Sequence, residues 1–137
     1  MADIAITLDY ISMAESFYRA YRELPPQAPP DWPRYLLATH AIELALKGYL
    51  LFQGVSEKQL MERSLRHDLA GLLLEATARG LVLSPSTSRN IELLSEPHKA
   101  YRPRYPKHVT DTLITIEQCE PCLEELFGAV RPKRRGP

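Results

Sequence analysis

Apolar residues recur at three- and four-residue spacing through most of the chain, and this spacing places them on one face of an α-helix. The first such series begins at Ile4 and ends near Leu24. Residues 25–30 are rich in proline, so this stretch must form a loop, because proline lacks the backbone amide that a helix interior requires. The pattern therefore predicts an amphipathic first helix followed by a proline-rich connection.

A second helix is predicted from about Asp31 to Gln53. Aspartate is a favourable N-cap residue, and Gly54 suits the left-handed position that follows many helices. Residues 44–52 are apolar on most sides of this helix. Such a distribution is typical of a helix at the centre of a helical bundle.

A third helix follows the second after a short connection. Ser56 and Gln59 have the spacing of a capping box, which predicts where this helix starts. Asp68 offers another cap within the same stretch. The third helix is therefore either continuous or divided into two pieces.

Proline positions mark the two remaining helices. Ser84 followed by Pro85 predicts the start of the fourth helix, which continues toward Tyr101. The fifth helix takes the apolar residues between 109 and 127, with Pro121 as a kink or an early stop.

No segment shows the two-residue alternation of a β-strand, so the predicted fold is all-α: an antiparallel up-and-down bundle of about five helices. The length predicts one domain over residues 1–130, followed by a basic, disordered tail over 131–137. No apolar run approaches the ~18 residues of a membrane span. Asp3 also stands where a signal peptide needs basic residues, so we expect a cytoplasmic protein without a membrane partner.

The formal net charge of zero hides segments of unlike charge. Residues 97–110 contain four basic groups and no acidic group, whereas residues 1–96 are net acidic. A protein that covers nucleic acid with its whole surface needs a broad field of lysine and arginine, and this distribution excludes that class. It allows one local site for an anion.

The basic segment around residues 98–108 is the strongest functional signal. Arginine forms bidentate contacts with phosphate, and the interleaved tyrosines can stack on bases, so this segment suits RNA or a nucleotide. The alternative is an interhelical loop whose cations balance the acidic fifth helix. The residues predicted to contact a ligand are His98, Lys99, Tyr101, Arg104, Tyr105 and Lys107.

Helix two carries a polar stripe, in which His40, Glu43 and Lys47 share one face. The favoured interpretation is a stripe facing solvent. The alternative is a polar pocket between helices, which includes His67 and in which a buried ion pair must be satisfied. The neighbouring Asp68 is interpreted as a helix cap, because adjacent helical residues point about 100° apart and Asp68 is poorly placed to orient the His67 ring.

Cys119 and Cys122 form an isolated CxxC motif. Redox motifs of this kind normally follow a strand, and a structural zinc site needs four ligands, but no second cysteine pair exists in the sequence. We therefore expect reduced thiols, no metal and no cofactor, with a regulatory disulfide left open.

The second helix, the His-Asp-Leu motif and the basic segment together resemble the HEPN family of prokaryotic helical bundles, over residues 32–128. The motifs that carry the resemblance are residues 40–51, Gly54, His67 to Leu69, Leu72, Leu73, Ala76, and Tyr101 followed by Arg104 to Pro106. The resemblance implies an up-and-down bundle, often a homodimer, in toxin–antitoxin, defence or RNA-processing systems. It also implies a nucleotidyltransferase-like partner protein.

Active members of this family are metal-independent ribonucleases with an arginine, four to six residues and then a histidine. The pair here that fits is Arg102 with His108, which the resemblance identifies as candidate catalytic residues. Pro103 and Pro106 depart from the helical setting of the family motif. Two hypotheses follow: a non-catalytic module that binds RNA or a nucleotide, which we favour, and a divergent ribonuclease.

Overall fold

The computed structural model describes residues 4–28, 31–62, 65, 67–101 and 115–130, without the side chains of 96, 97, 99–101 and 116. These residues form six helices and no strand, which confirms the all-α class. The helices are α1 (Ile4–Glu23), α2 (Trp32–Phe52), α3 (Glu57–Leu60), α4 (Leu69–Ala78), α5 (Pro85–Tyr101) and α6 (Ile116–Val130). None of these helices combines the length and apolarity needed to cross a membrane.

Helix α2 lies at the centre of the fold and contacts α1, α4, α5 and α6. Its sides are lined with alanine and leucine, and most of its residues are buried. Helix α1 packs closely against the α2 backbone at Gly48, where a Cβ atom would lie 2.5 Å from Cδ1 of Ile11. The apolar character of α2 on most sides is therefore explained by neighbouring helices on those sides.

The predicted helix caps are present. The Asp31 carboxylate accepts a hydrogen bond from the Arg34 amide at 3.2 Å, and Ser56 and Gln59 form the reciprocal capping box. Gly54 adopts a φ of 98°, in the left-handed region that favours glycine. These bonds satisfy amide groups that have no partner within the helix.

The predicted third helix is divided into α3 and α4, so the count is six helices rather than five. Asp68 is the N-cap of α4, and its carboxylate accepts from the Gly71 amide at 3.2 Å. The preceding residue, His67, has a φ of 62°. A continuous helix is impossible through a residue in the left-handed region followed by one in extended geometry.

Helix α6 continues through Pro121 to Val130, so the predicted early stop is wrong. Residues 109–114, where the predicted fifth helix starts, lie outside the described residues, as does the predicted tail 131–137. The single domain over residues 1–130 stays a prediction.

Glu125 joins α6 to the start of α5. Its carboxylate accepts hydrogen bonds from the Ser84 amide (2.6 Å), the Ser84 hydroxyl (2.7 Å) and the Thr87 hydroxyl (2.5 Å). These bonds favour the ionised form and lower the pKa of Glu125 from its ordinary value, with the Thr87 bond contributing most.

This contact predicts an acid-sensitive contribution to stability. Because the folded-state pKa of Glu125 lies below its ordinary value of 4.5, the contribution is present above pH 4.5 and is lost as pH falls through the folded value. We expect Glu125→Gln to lower the free energy of unfolding by about 1–2 kcal/mol near neutral pH and by less in acid. Urea unfolding at a series of pH values measures this difference. Glu124→Gln, at the exposed neighbouring residue, is the control, and a Glu125→Gln effect that stays constant into acid would contradict the prediction.

Candidate functional site

A cluster of charged and imidazole side chains is buried between α2, α5 and the connection from α3 to α4. Glu43 lies at its centre and is 3% exposed. Its Oε2 atom accepts from Lys47 Nζ at 2.7 Å, and its Oε1 atom accepts from His98 Nε2 at 2.6 Å. His67 Nδ1 lies 3.0 Å from Oε2 and 3.2 Å from Oε1. We call these four residues, Glu43, Lys47, His67 and His98, the Glu43 cluster.

Helix geometry brings Glu43 and Lys47 of α2 together with His98 of α5. Glu43 and Lys47 are four residues apart on α2, so their side chains lie on the same face. His98 occurs in the last turns of α5 and is fully buried. These two helices are in contact, so they bring the carboxylate and the imidazole together.

His67 reaches the cluster from the turn before α4. Its left-handed φ of 62° is uncommon for a residue other than glycine or asparagine and stores backbone strain. The next residue, Asp68, caps α4 and accepts from the Ser95 hydroxyl at 3.2 Å, while Ser95 also accepts from the Ala70 amide. These bonds join the start of α4 to α5 and so hold the turn that carries His67.

The Glu43 carboxylate is the anion of the cluster. Burial raises its pKa, but hydrogen bonds from His98 and Lys47, with their charges, outweigh burial and hold the pKa well below its usual range. A carboxylate can only accept hydrogen bonds, so the network assigns a hydrogen to each of the two imidazole nitrogens facing it. Glu43 therefore stays ionised at neutral pH.

Among the three residues Glu43, His67 and His98, only His67 has a partly exposed side chain. The His67 side chain is 29% exposed, whereas those of Glu43 and His98 are 4% and 0% exposed. On another side the His40 ring meets His98 edge to face, with ring centroids 5.4 Å apart, and stacks on Phe17. A small solute or ion would thus enter beside His67.

The structure brings together most of the residues predicted for a polar pocket. Glu43, Lys47 and His67 are in direct contact, and His40 lies beside them through the His98 ring. Glu43 and Lys47 are both buried, so the favoured interpretation of a solvent-facing stripe is wrong for them. Helix α2 has other helices on most sides, and a polar stripe on it faces protein.

His98 was predicted to belong to the basic ligand-binding segment, and its place in the buried cluster corrects that assignment. A sequence signal for its burial exists. Thr87, Ile91, Leu94 and His98 follow the three- and four-residue spacing of a helix face, and all four are buried. His98 thus continues the buried face of α5.

The other predicted ligand residues and the candidate catalytic pair fall where side chains are not described. Lys99 and Tyr101 belong to the α5 backbone. The rest lie outside the described residues: Arg102, Arg104, Tyr105, Lys107 and His108.

The CxxC cysteines are buried and free. Burial is the main cause that raises the pKa of both Cys119 and Cys122 to about 12. The thiolate is the reactive and metal-binding form, and at this pKa it is scarce at neutral pH. The two thiols therefore act as apolar core groups of α6.

The Glu43 cluster also contains the one set of potential metal ligands found among the described residues. Glu43, His67 and His98 each offer one ligand atom, and these atoms lie within 4.8 Å of one another. Comparison with known proteins gave no match, whether to a family model, a curated protein or a solved structure.

Proposed function

We propose that this protein is a HEPN-like module that binds RNA or a nucleotide through its basic tyrosine- and arginine-containing segment. It acts as a homodimer within a toxin–antitoxin or defence system, beside a nucleotidyltransferase-like partner protein. The observation that carries this proposal is the run of four basic groups and two tyrosines, without an acid, directly after the buried His98.

The Glu43 cluster supports the proposal by fixing the helix that leads into this segment. The bond from His98 to Glu43 and the bond from Ser95 to Asp68 attach α5 to α2 and α4. Helix α5 ends at Tyr101, three residues after His98. The basic segment therefore begins on a helix that is held in place, and this reduces the conformational entropy lost when RNA binds.

The charges and rings of the segment fit single-stranded RNA better than a duplex. Arginine and lysine contact phosphates, and tyrosine stacks on unpaired bases, which are available in single strands. The net acidic segment 1–96 restricts attraction to this local region. Binding then weakens as salt rises, because each phosphate contact releases counterions.

A second candidate function is a metal-independent ribonuclease. The observation in its favour is the five-residue interval between Arg102 and His108, which fits the family spacing. In this mechanism His108 accepts a proton from the 2′-hydroxyl or donates one to the leaving oxygen, while Arg102 stabilises the negative charge that develops on phosphate.

Binding of a labelled single-stranded RNA, measured by fluorescence anisotropy at several salt concentrations, tests the proposal. The triple variant Arg102→Gln, Arg104→Gln, Lys107→Gln should bind at least about tenfold more weakly, with a salt slope smaller by about two. The matched control removes three charges at the end of the chain: Arg131→Gln, Lys133→Gln and Arg134→Gln. Equal affinity for the wild type and the segment variant would overturn the proposal.

Cleavage assays separate the two candidate functions. The wild type and His108→Ala are incubated with the same RNA in the presence of a chelator, which removes metal-dependent contaminants. Cleavage that His108→Ala abolishes favours the ribonuclease, and binding without cleavage favours the module. Sedimentation of the pure protein checks the homodimer.

A further inference from the structure

We propose that Glu43, His67 and His98 form a binding site for a divalent transition-metal ion of the zinc class. The site lies where α2, α5 and the turn before α4 meet. Metal binding at this site is independent of RNA binding, and the proposal rests on the geometry of the Glu43 cluster alone.

The ligand atoms are already close to the spacing that a metal ion requires. His98 Nε2 is 2.6 Å and His67 Nδ1 is 3.2 Å from Glu43 Oε1, and the three residues offer atoms within 4.8 Å of one another. Ligands at about 2.0–2.1 Å from a tetrahedral zinc ion lie roughly 3.3 Å from each other. Binding of the ion would require small side-chain rotations and would displace the hydrogen from each imidazole nitrogen that faces Glu43, to the other ring nitrogen or to solvent.

The type of ligand selects the type of metal. Two imidazole nitrogens and one carboxylate oxygen form the ligand set of many zinc sites that keep a fourth position open. Imidazole favours Zn²⁺, Co²⁺ and similar ions, whereas Mg²⁺ and Ca²⁺ prefer sites made of oxygen atoms. The partly exposed His67 leaves the fourth position accessible to water.

Lys47 contacts the carboxylate at Oε2, whereas His98 bonds to Oε1 and His67 lies near both oxygens. Its Nζ atom lies 2.7 Å from Oε2, while His98 bonds to Oε1. A hydrogen bond to the second oxygen of a ligating carboxylate fixes its orientation, as outer-shell groups do in metal sites. The ammonium charge also repels a cation, so Lys47 lowers the affinity of the site.

His67 is the ligand whose position is hardest to explain by helix packing alone. Its backbone is left-handed, and its partly exposed ring contacts the buried Glu43 carboxylate. Strained backbone of this kind concentrates at ligand-binding positions.

Titration of the full-length, metal-free protein with Co²⁺ tests the site, because four-coordinate cobalt gives intense visible absorption bands. Zn²⁺ should displace the cobalt, and Mg²⁺ should not. His67→Gln, at a partly exposed residue, should weaken Co²⁺ binding at least about tenfold. Glu43→Gln should do the same.

His40→Gln is the matched control, since it removes an imidazole beside the cluster that is outside the ligand set. It should leave the cobalt spectrum unchanged, and circular dichroism checks that each variant is folded. Absence of the four-coordinate spectrum in the wild type would overturn the proposal. The proposal would also be overturned if Co²⁺ binding persisted in His67→Gln and were lost in the double variant Cys119→Ser, Cys122→Ser. RNA binding in chelator is measured separately, so failure of either proposal leaves the other testable.

Discussion

Replacement of Glu43 by alanine is expected to lower the free energy of unfolding by about 3–5 kcal/mol, because it leaves the buried Lys47 ammonium without its counter-charge. The change also removes the acceptor that His98 uses at 2.6 Å. Lys47 is only 5% exposed, so water does not replace the lost carboxylate. Urea-induced unfolding, followed by circular dichroism, measures the loss.

An exposed pair of the same spacing provides the control. Glu75 and Arg79 are also four residues apart, at 3.8 Å, with side chains 47% and 42% exposed. Glu75→Ala should cost less than about 0.5 kcal/mol. The double variant Glu43→Gln, Lys47→Met should recover more than half of the loss, because it removes both charges and keeps an oxygen for His98. A Glu43→Ala loss no larger than that of Glu75→Ala would contradict the buried network.

Replacement of Gly48 by leucine is expected to destabilise the fold by about 1–3 kcal/mol through overpacking. The new Cβ would lie 2.5 Å from Ile11 Cδ1 and 3.0 Å from Ile11 Cγ1, so the Ile11 side chain would have to shift, and the rest of the leucine adds further crowding. Thermal and urea unfolding of the variant measure the effect.

Ile11→Ala creates space at the point of contact and so tests the cause. In a double-mutant cycle, the combined variant should be more stable than the sum of the two single effects predicts. Gly128→Leu is the control, because Gly128 lies within α6 with open space around its Cα. Leucine has the higher helix propensity, so this control should be neutral or stabilising. Additive effects at Gly48 and Ile11 would show that their contact is not the cause.

The local features of the fold were predictable because their causes lie within a few residues. Asp31, Ser56 and Asp68 each accept a hydrogen bond from the amide three residues later, and their caps mark where three of the helices begin. Whether the helix breaks between α3 and α4 was left open, because only part of the cause is local. Asp68 signals a new helix, but the left-handed backbone of His67 depends on what its ring contacts.

The site was harder to predict because burial depends on neighbouring helices. Glu43 and Lys47 have the spacing of an ordinary surface ion pair, and only the helices around α2 decide that they are buried. His98 has the basic neighbours of a solvent-exposed segment, yet it continues the buried face of α5. In both cases the charged residues suggested exposure to solvent, whereas the apolar residues around them correctly indicated burial.

The hydrogen bonds that Glu125 accepts from Ser84 and Thr87 restrict which positions of the sequence can change in related proteins. They attach the first turn of α5 to the second half of α6. In the sequence, residues 102–114 connect these two helices. Under the proposed function, changes in residues 102–114 would alter ligand preference without removing the bonds of Glu125. Related proteins should therefore vary most in this interval and preserve Glu125 together with the hydroxyl residues it binds.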